Sequence, residues 1–458
     1  MSEVEFQSKK HEIPIGLVEA LSFVALLYGG IVTATLPWVF TNIYGGSLGG
    51  QLLKTTFMVL MFLVTLRWLV IQYIALREFR DLPDLTALDD HPFVSILVPA
   101  FNEAPTIDAA MRSLVGQNYP NYEVIFIDDG STDGSYELAK QYEGEYGNAT
   151  VRVVTKPNGG KWSALNHGYR LSTGEFILCV DADTRLDPDT LSFAVARMLS
   201  EERIGGLAGQ VTIRNRNNFL TRLQALEYVR DNGANRMALS GGGVVTIVPG
   251  AIGLYRRQAL DEVELVTGPP AETGPGAVAG PWSGETFAED FQLSLTVLAL
   301  GWRIIYEPRA VAFTKCPDRS DTLLNQRYRW MRGTWQVLLL YMKKLHWIAL
   351  ARRPLLPWIM VVYYSIDFSV LPALNFAFWA WLVYSVVIAP SVDLFLVMFG
   401  LVGLLNLMTS TLYVILQRDS LRLVPLTPLL DLYNPIFVNI SWFAATFDEM
   451  RGSKMKWH

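Results

Sequence analysis

Apolar and polar positions divide the chain into three blocks. No charged residue occurs from Ala20 to Leu53, from Phe368 to Val392, or from Leu394 to Gln417. Each stretch is long enough for a membrane-spanning helix, which needs roughly 20 predominantly apolar residues. The pattern predicts two spans near the start, about 17–40 and 56–76, and three near the end, about 358–386, 394–416 and 424–447. The first is too long for the ~7–15-residue core of a cleaved signal peptide. Lys9, Lys10, Arg77 and Arg80 flank the first pair, whose connecting loop carries only Lys54. Positive residues favour the cytoplasmic side, so both ends of this hairpin, and everything from Arg77 to about Arg353, are expected there. Three further spans would put the C-terminus outside, yet Arg451, Lys454 and Lys456 argue for inside. Either the last segment, broken by Pro425, Pro428 and Pro435, is re-entrant or interfacial, or the charge rule fails there.

The middle block alternates two periods. Residues 93–101 (FVSILVPAF), 122–128 (YEVIFID), 151–155 and 175–180 (EFILCV) read as buried strands, and 106–116, 135–142 and 161–171 as helices between them. Near-continuous apolar strands separated by helices imply a parallel sheet covered on both faces. Ligands bind such sheets beyond the carboxyl ends of the strands. Residues 321–345 then read as an amphipathic helix, in which Trp330 and Trp335 interleave with Arg327, Arg329, Arg332, Lys343 and Lys344. That mixture suits the plane of a membrane interface.

Composition agrees with the blocks. Of 458 residues, 51% are hydrophobic and only 18% charged, with a formal net charge of −5. This excludes a disordered chain, a nucleic-acid wrapper and an ordinary soluble enzyme. Cys179 and Cys316 cannot form a disulfide framework, and the five histidines show no zinc-ligand spacing.

Acidic residues stand where the strands end. Asp128-Asp129-Gly130-Ser131 follows the second strand; its carboxylates can accept hydrogen bonds from a nucleobase or ribose, although Asp-Gly is also a common turn. Asp181-Ala182-Asp183 follows the fourth, and two carboxylates one residue apart can reach one hard cation. Glu289-Asp290 opens a predicted helix; there Asp is either a general base or an N-cap. In Gln326-Arg327-Tyr328-Arg329-Trp330 the arginines offer multi-donor recognition of phosphate and the indole a flat face for a sugar ring, against plain interfacial anchoring.

In their order, Phe101-Asn102-Glu103, Asp128-Asp129-Gly130-Ser131, Asn158-Gly159-Gly160-Lys161, Asp181-Ala182-Asp183, Glu289-Asp290 and Gln326-x-x-Arg329-Trp330 resemble the processive family 2 glycosyltransferases. This membrane group holds the cellulose, chitin, hyaluronan and poly-N-acetylglucosamine synthases. The resemblance runs from about Val94 to Gln336. Residues 214–224 (RNRNNFLTRLQ), 302–308 (WRIIYEP) and 326–333 (QRYRWMRG), with the two-plus-three spans, are most similar to the poly-N-acetylglucosamine synthases. The stretch 262–284 departs from the pattern in being longer and richer in Gly and Pro.

The resemblance implies an α/β GT-A, Rossmann-like nucleotide-sugar-binding domain in the cytoplasm joined to an α-helical transmembrane bundle. The expected divisions are a hairpin over 1–80, the glycosyltransferase domain over 81–319, interfacial helices over 320–353 and a membrane region over 354–458. It implies inverting transfer from a UDP-sugar, UDP-N-acetylglucosamine first, to a growing polysaccharide, with hyaluronan, chitin or glucan synthesis, or transfer to a polyprenyl-phosphate carrier, as alternatives. Ala100, Phe101, Glu103, Asp128, Asp129, Lys161 and Asp181 are expected to bind the donor nucleotide, and Asp183 to coordinate Mg²⁺ or Mn²⁺. Asp290, beside Glu289, is expected to act as base. Gln326, Arg327 and Arg329 are expected to hold the diphosphate, and Trp330 to stack beneath the acceptor's terminal sugar. The expected location is the cell (inner) membrane, with the lipid bilayer and an accessory membrane subunit as partners and no nucleic acid. Groups such as Asp367 or Asp431 are expected to line a polymer channel.

Overall fold

The computed structural model describes residues 48–83, 90–267, 276–376 and 392–453, with scattered positions between 16 and 31. Most of the first expected span, the third beyond residue 376, Lys9, Lys10, Lys454, Lys456 and the side chain of Asp431 lie outside the described residues. Among those described, nine strands form one sheet. They are β1 (Val94–Ala100), β2 (Tyr122–Asp128), β3 (Gly144–Tyr146), β4 (Ala149–Thr155), β5 (Phe176–Cys179), β6 (Arg185–Leu186), β7 (Ile204–Ile213), β8 (Gly253–Arg256) and β9 (Arg303–Thr314). Their order is β3-β4-β2-β1-β5-β8-β7-β9-β6.

The four strands expected from apolar runs are β1, β2, β4 and β5, and they form the parallel core β4-β2-β1-β5. The sheet as a whole is mixed, which corrects the all-parallel expectation. β8 runs antiparallel to both β5 and β7, and β3 and β6 are antiparallel edges. β7 is rich in Gly and β8 is four residues long, so neither presents the unbroken apolar run that marked the others.

Alternation along β1 shows how both faces are covered. Val94, Ile96 and Val98 pack with Ile107, Met111 and Leu114 of helix α1, while Leu97 packs on the opposite face with Leu165 and Tyr169. Helices in the domain are α1 (Ala104–Val115), α2 (Ser135–Lys140), α3 (Lys161–Leu171), α4 (Thr190–Leu199), α5 (Phe219–Glu227), α6 (Gly233–Gly241), α7 (Arg257–Thr267) and α8 (Glu289–Ala299). The amphipathic stretch forms α9 (Ser320–Leu340), which continues through a π-helical turn, Tyr341–Leu345, into α10 (His346–Arg352).

The described parts of the apolar blocks are helical as well. A 33-residue helix, Leu48–Arg80, precedes the sheet, and a 25-residue helix, Val392–Leu416, follows it. Gly49 and Gly50, which fall between the two expected spans, lie inside the first of these. Arg67 from this helix forms an ion pair with Asp367. Asp367 is thus engaged by another helix. Over the described residues no single helix is long and apolar enough to cross a membrane alone. The pair Leu421–Leu430 and Asn434–Met450, bent by 60°, passes that test together.

That bent pair is tied to the rest of the domain along its length. Arg216 forms a two-pronged ion pair with Asp419 just before it. Tyr433, at the bend, bonds Arg327 and Glu227. Beyond the bend, Trp335 donates to Thr446 (2.8 Å), Tyr328 to Asp448 (2.6 Å) and Arg332 to Glu449 (3.1 Å). Tyr328, Arg332 and Trp335 recur at helical spacing, so one face of α9 is given over to this contact.

Candidate active site

The parallel core aligns the ends of its strands. Ala100 pairs in register with Asp128, and Asp128 with Thr155, while Leu97 pairs with Cys179. The residues that follow these ends therefore emerge along one edge: Phe101 after β1, Asp129 after β2, Lys156 after β4 and Asp181 after β5. Phe101 stands 49% exposed there. Asn102 beyond it takes φ +57, and its side chain accepts from the Thr132 N–H (2.9 Å), which joins the β1 and β2 loops.

Asp128 and Asp129 are buried and spend their oxygens on neighbouring turns and strand ends. Asp128 accepts from the Thr155 hydroxyl (2.8 Å) and from the Ser131 N–H (3.3 Å). Asp129 accepts from Lys156 Nζ (2.6 Å) and from the backbone N–H groups of Gly159 (3.1 Å) and Gly160 (2.8 Å). These bonds fix the shape of the 156–160 turn. Gly130 takes φ +78, and a Cβ there would meet the Asn158 nitrogen at 3.1 Å.

The second cluster is differently arranged. Lys161, the first residue of α3, pairs with Asp181 and stands 3.6 Å from Glu289. Burial opposes its charge, but the Asp181, Glu289 and Asp290 carboxylates hold its pKa above the usual lysine value. Gly250 lets the chain pass close by, since a Cβ there would lie 2.3 Å from Lys161 Nζ. Asp183 accepts from Thr314 at the end of β9 (3.3 Å). Burial, then the neighbouring Asp181, raises its pKa. Glu103, which accepts from the Thr106 hydroxyl (3.1 Å), is raised by burial, then by Asp183.

Asp290 lies in the first turn of α8. Ala288, not an acidic residue, holds the N-cap position and gives no side-chain cap bond. Burial, reinforced by the charge of Glu289, pushes the Asp290 carboxyl up to about 6. The structure thus brings Asp183, Asp181, Lys161, Glu289 and Asp290 into one cluster. The acids are mutually repulsive; Lys161 pairs with Asp181 and stands near Glu289, while Arg214 and Arg236 act on Asp183 and Asp290 from farther off. Such an oxygen-rich, under-compensated set suits a hard divalent cation. Among the described residues no three acidic, histidine or cysteine side chains form a closed metal cage.

Helix α9 borders this cluster. Gly333 touches the segment before the acids, where a Cβ would stand 2.9 Å from Ala288, and the Phe287 N–H donates to Gln336 (3.1 Å). Gln326, Trp330 and Gly333 recur at helical spacing and share that face. Arg329 is exposed. Arg327 is turned away: it is buried against Glu227 (2.6 Å) and Tyr433 (3.1 Å), with its guanidinium 4.5 Å from the Trp330 ring centroid.

Several participants carried no signal by themselves. Lys156, Thr314, Gly250 and Glu227 stand outside the quoted motifs, and the stretch 214–224 stops three residues short of Glu227. An acid buried opposite an expected phosphate-binding arginine becomes visible only when the two helices are seen together.

Comparison with known proteins bears on the fold and the family. A model of glycosyl transferase family 2 matches residues 95–264. Two poly-beta-1,6-N-acetyl-D-glucosamine synthases of Staphylococcus epidermidis are similar. One is 28% identical over 300 residues, 64% of this chain and 68% of the relative. The other is 27% identical over 335 residues, 70% of this chain and 77% of the relative. Among solved structures, a mannosyltransferase from Pyrobaculum calidifontis, in complex with GDP-Man and Mn²⁺, superposes with a TM-score of 0.55 at 19% identity, covering 86% of this chain and 98% of that one. The sheet domain has the GT-A glycosyltransferase fold, built on a central mixed sheet.

Proposed function

We propose that this chain, whose residues 95–264 match a model of glycosyl transferase family 2 and which is 28% identical to a named polysaccharide synthase, is a glycosyltransferase that polymerises a UDP-sugar, UDP-N-acetylglucosamine first, into a β-linked poly-N-acetylglucosamine-like polysaccharide. The observation that carries this reading is the adjacency of two things: the acidic cluster from Asp183 to Asp290, and the face of α9 that bears Gln326, Trp330 and Gly333. A single-sugar transferase has no need of an acceptor platform packed on the segment that holds its base. Similarity to two named polysaccharide synthases supports the same choice.

In this mechanism Phe101, at the exposed end of β1, stacks on the uracil, while Ala100, Asp128 and Asp129 shape the pocket around it. Glu103 and Asp181 approach the uridine and donor sugar, and Lys161 assists the nucleotide from between Asp181 and Glu289. Asp183 would hold Mg²⁺ or Mn²⁺, which supplies charge neutralisation for the leaving diphosphate. Arg329 and Gln326 orient that diphosphate, and Trp330 supports the acceptor ring. A sugar hydroxyl is a poor nucleophile, and Asp290 takes its proton; a positioned base contributes roughly 10²–10⁴-fold. One base with no second nucleophile gives single displacement and inversion.

The membrane assignment belongs to the same proposal: a multi-pass protein of the cell membrane with the sheet domain in the cytoplasm. Contacts of Asp419, Tyr433, Thr446, Asp448 and Glu449 with the sheet domain and α9 favour a final segment that stays on that side and bends back. This reconciles Arg451 with the positive-inside rule. The remaining helices would pass the product outward. A panel of UDP-sugars offered to the protein in nanodiscs, scored for UDP release and product length, tests the function. Long product from UDP-N-acetylglucosamine is expected; single-sugar products from every donor would refute polymerisation. In sealed vesicles, product that stays wholly digestible from the catalytic side would refute export.

A further inference from the structure

The geometry points to Glu227 as a positioning residue that sets the acceptor platform through Arg327, an inference that rests on the polymerase reading above. Glu227 closes helix α5, whose start is fixed by a reciprocal capping box between Asn218 and Thr221. Its Oε2 accepts from Arg327 at 2.6 Å and from the Tyr433 hydroxyl at 3.0 Å, and Arg327 also donates to that hydroxyl at 3.1 Å. The Arg327 and Glu227 side chains are only 6% and 12% exposed. Arg327 Nε has no hydrogen-bond partner among the described residues. Its charge is thus compensated from the Glu227 side, and a buried guanidinium stripped of its partner does not hold its place.

The arrangement reaches further than a packing contact. The held guanidinium lies against the Trp330 ring, 4.5 Å from its centroid, the geometry of a cation–π contact. Trp330 sits on the α9 face that presses on Ala288, two residues before Asp290. Tyr433 lies where the final segment bends by 60°. One carboxylate of the sheet domain therefore holds the indole, the helix that carries it and the corner of the C-terminal segment in a single register. Arg327 is accordingly assigned to orienting Trp330, and the exposed Arg329 is the guanidinium of this motif left to meet the diphosphate.

The test uses the full chain in nanodiscs and compares wild type, Glu227→Gln, Glu227→Asp, Tyr433→Phe and Trp330→Ala, with the Glu227→Gln/Trp330→Ala double variant. Glu227→Gln is expected to lower kcat for polymer by roughly 10²-fold, the cost of displacing a positioning group, while the UDP-sugar KM stays within about twofold. Glu227→Asp should recover part of the loss, and Tyr433→Phe should show a smaller loss in the same direction. The double variant should be no worse than Trp330→Ala alone, because Glu227 acts through that ring. Wild-type kcat in Glu227→Gln, or a loss that adds fully to that of Trp330→Ala, would overturn the inference. Tyr433→Phe keeps the ion pair, and its own double variant with Trp330→Ala carries the same additivity test should Glu227→Gln fail to accumulate. A wild-type protein that makes no polymer would instead overturn the polymerase reading itself.

Discussion

Asp129 and Asp290 are the same residue type at neighbouring ends of one sheet domain, yet they are put to opposite uses. Asp129 is saturated: a lysine and two backbone N–H groups fill its oxygens, and the result is a rigid turn. Asp290 faces other acids, keeps a partly exposed side, and has its pKa lifted to about 6. The difference lies in who supplies the partners. Where an adjoining loop provides donors, a carboxylate becomes structure; where the neighbours are carboxylates, it remains available for chemistry and for cations.

The largest effect that could break this comparison belongs to Asp290→Asn. Transfer, measured as UDP release with UDP-N-acetylglucosamine, should fall roughly 10²–10⁴-fold while UDP still binds; undiminished turnover would remove the base. Asp129→Asn should act mainly on stability. It leaves Lys156 buried and unpaired, with both side chains no more than 5% exposed, at a cost of about 3–5 kcal/mol. A lowered thermal midpoint checks this; an unchanged midpoint would mean the clamp is dispensable. The smallest effect should come from Glu289→Gln. Removing a like charge beside Asp290 eases its ionisation, so the acid limb of the pH–rate profile should move to lower pH. A shift upward would mean the two acids do not repel.

Much of the parallel core was legible because its strands are continuous apolar runs bounded by Gly, Asp and Asn. β2 and α3 coincide with the expected residues, and β1, β4 and β5 differ by a residue or two at the ends. β7, β8 and β9 were not anticipated: their burial is imposed by neighbours in the sheet rather than by a run of their own. Asp181 and Asp183 could be singled out because charge directly behind a buried strand is unusual, and Glu289-Asp290 because acids open a predicted helix. Which of them would be consumed by local hydrogen bonds could not, since the donors to Asp129 come from Lys156, Gly159 and Gly160, a separate loop. Arg327 shows the same limit. Its motif suggested phosphate, but its direction on α9 is set by Glu227, a hundred residues earlier in the chain.

The central claim is that Asp290 is the base and that its surroundings tune it. Single-turnover sugar transfer by the wild-type protein in nanodiscs, followed against pH at saturating donor, tests this most directly. Only the ionised carboxylate accepts a proton, so the rate should climb with pH, with a midpoint near 6, and then level off. The same limb should vanish in Asp290→Asn. A wild-type profile that is flat from about pH 5 to 8, or an acid limb that survives in the variant, would contradict the account.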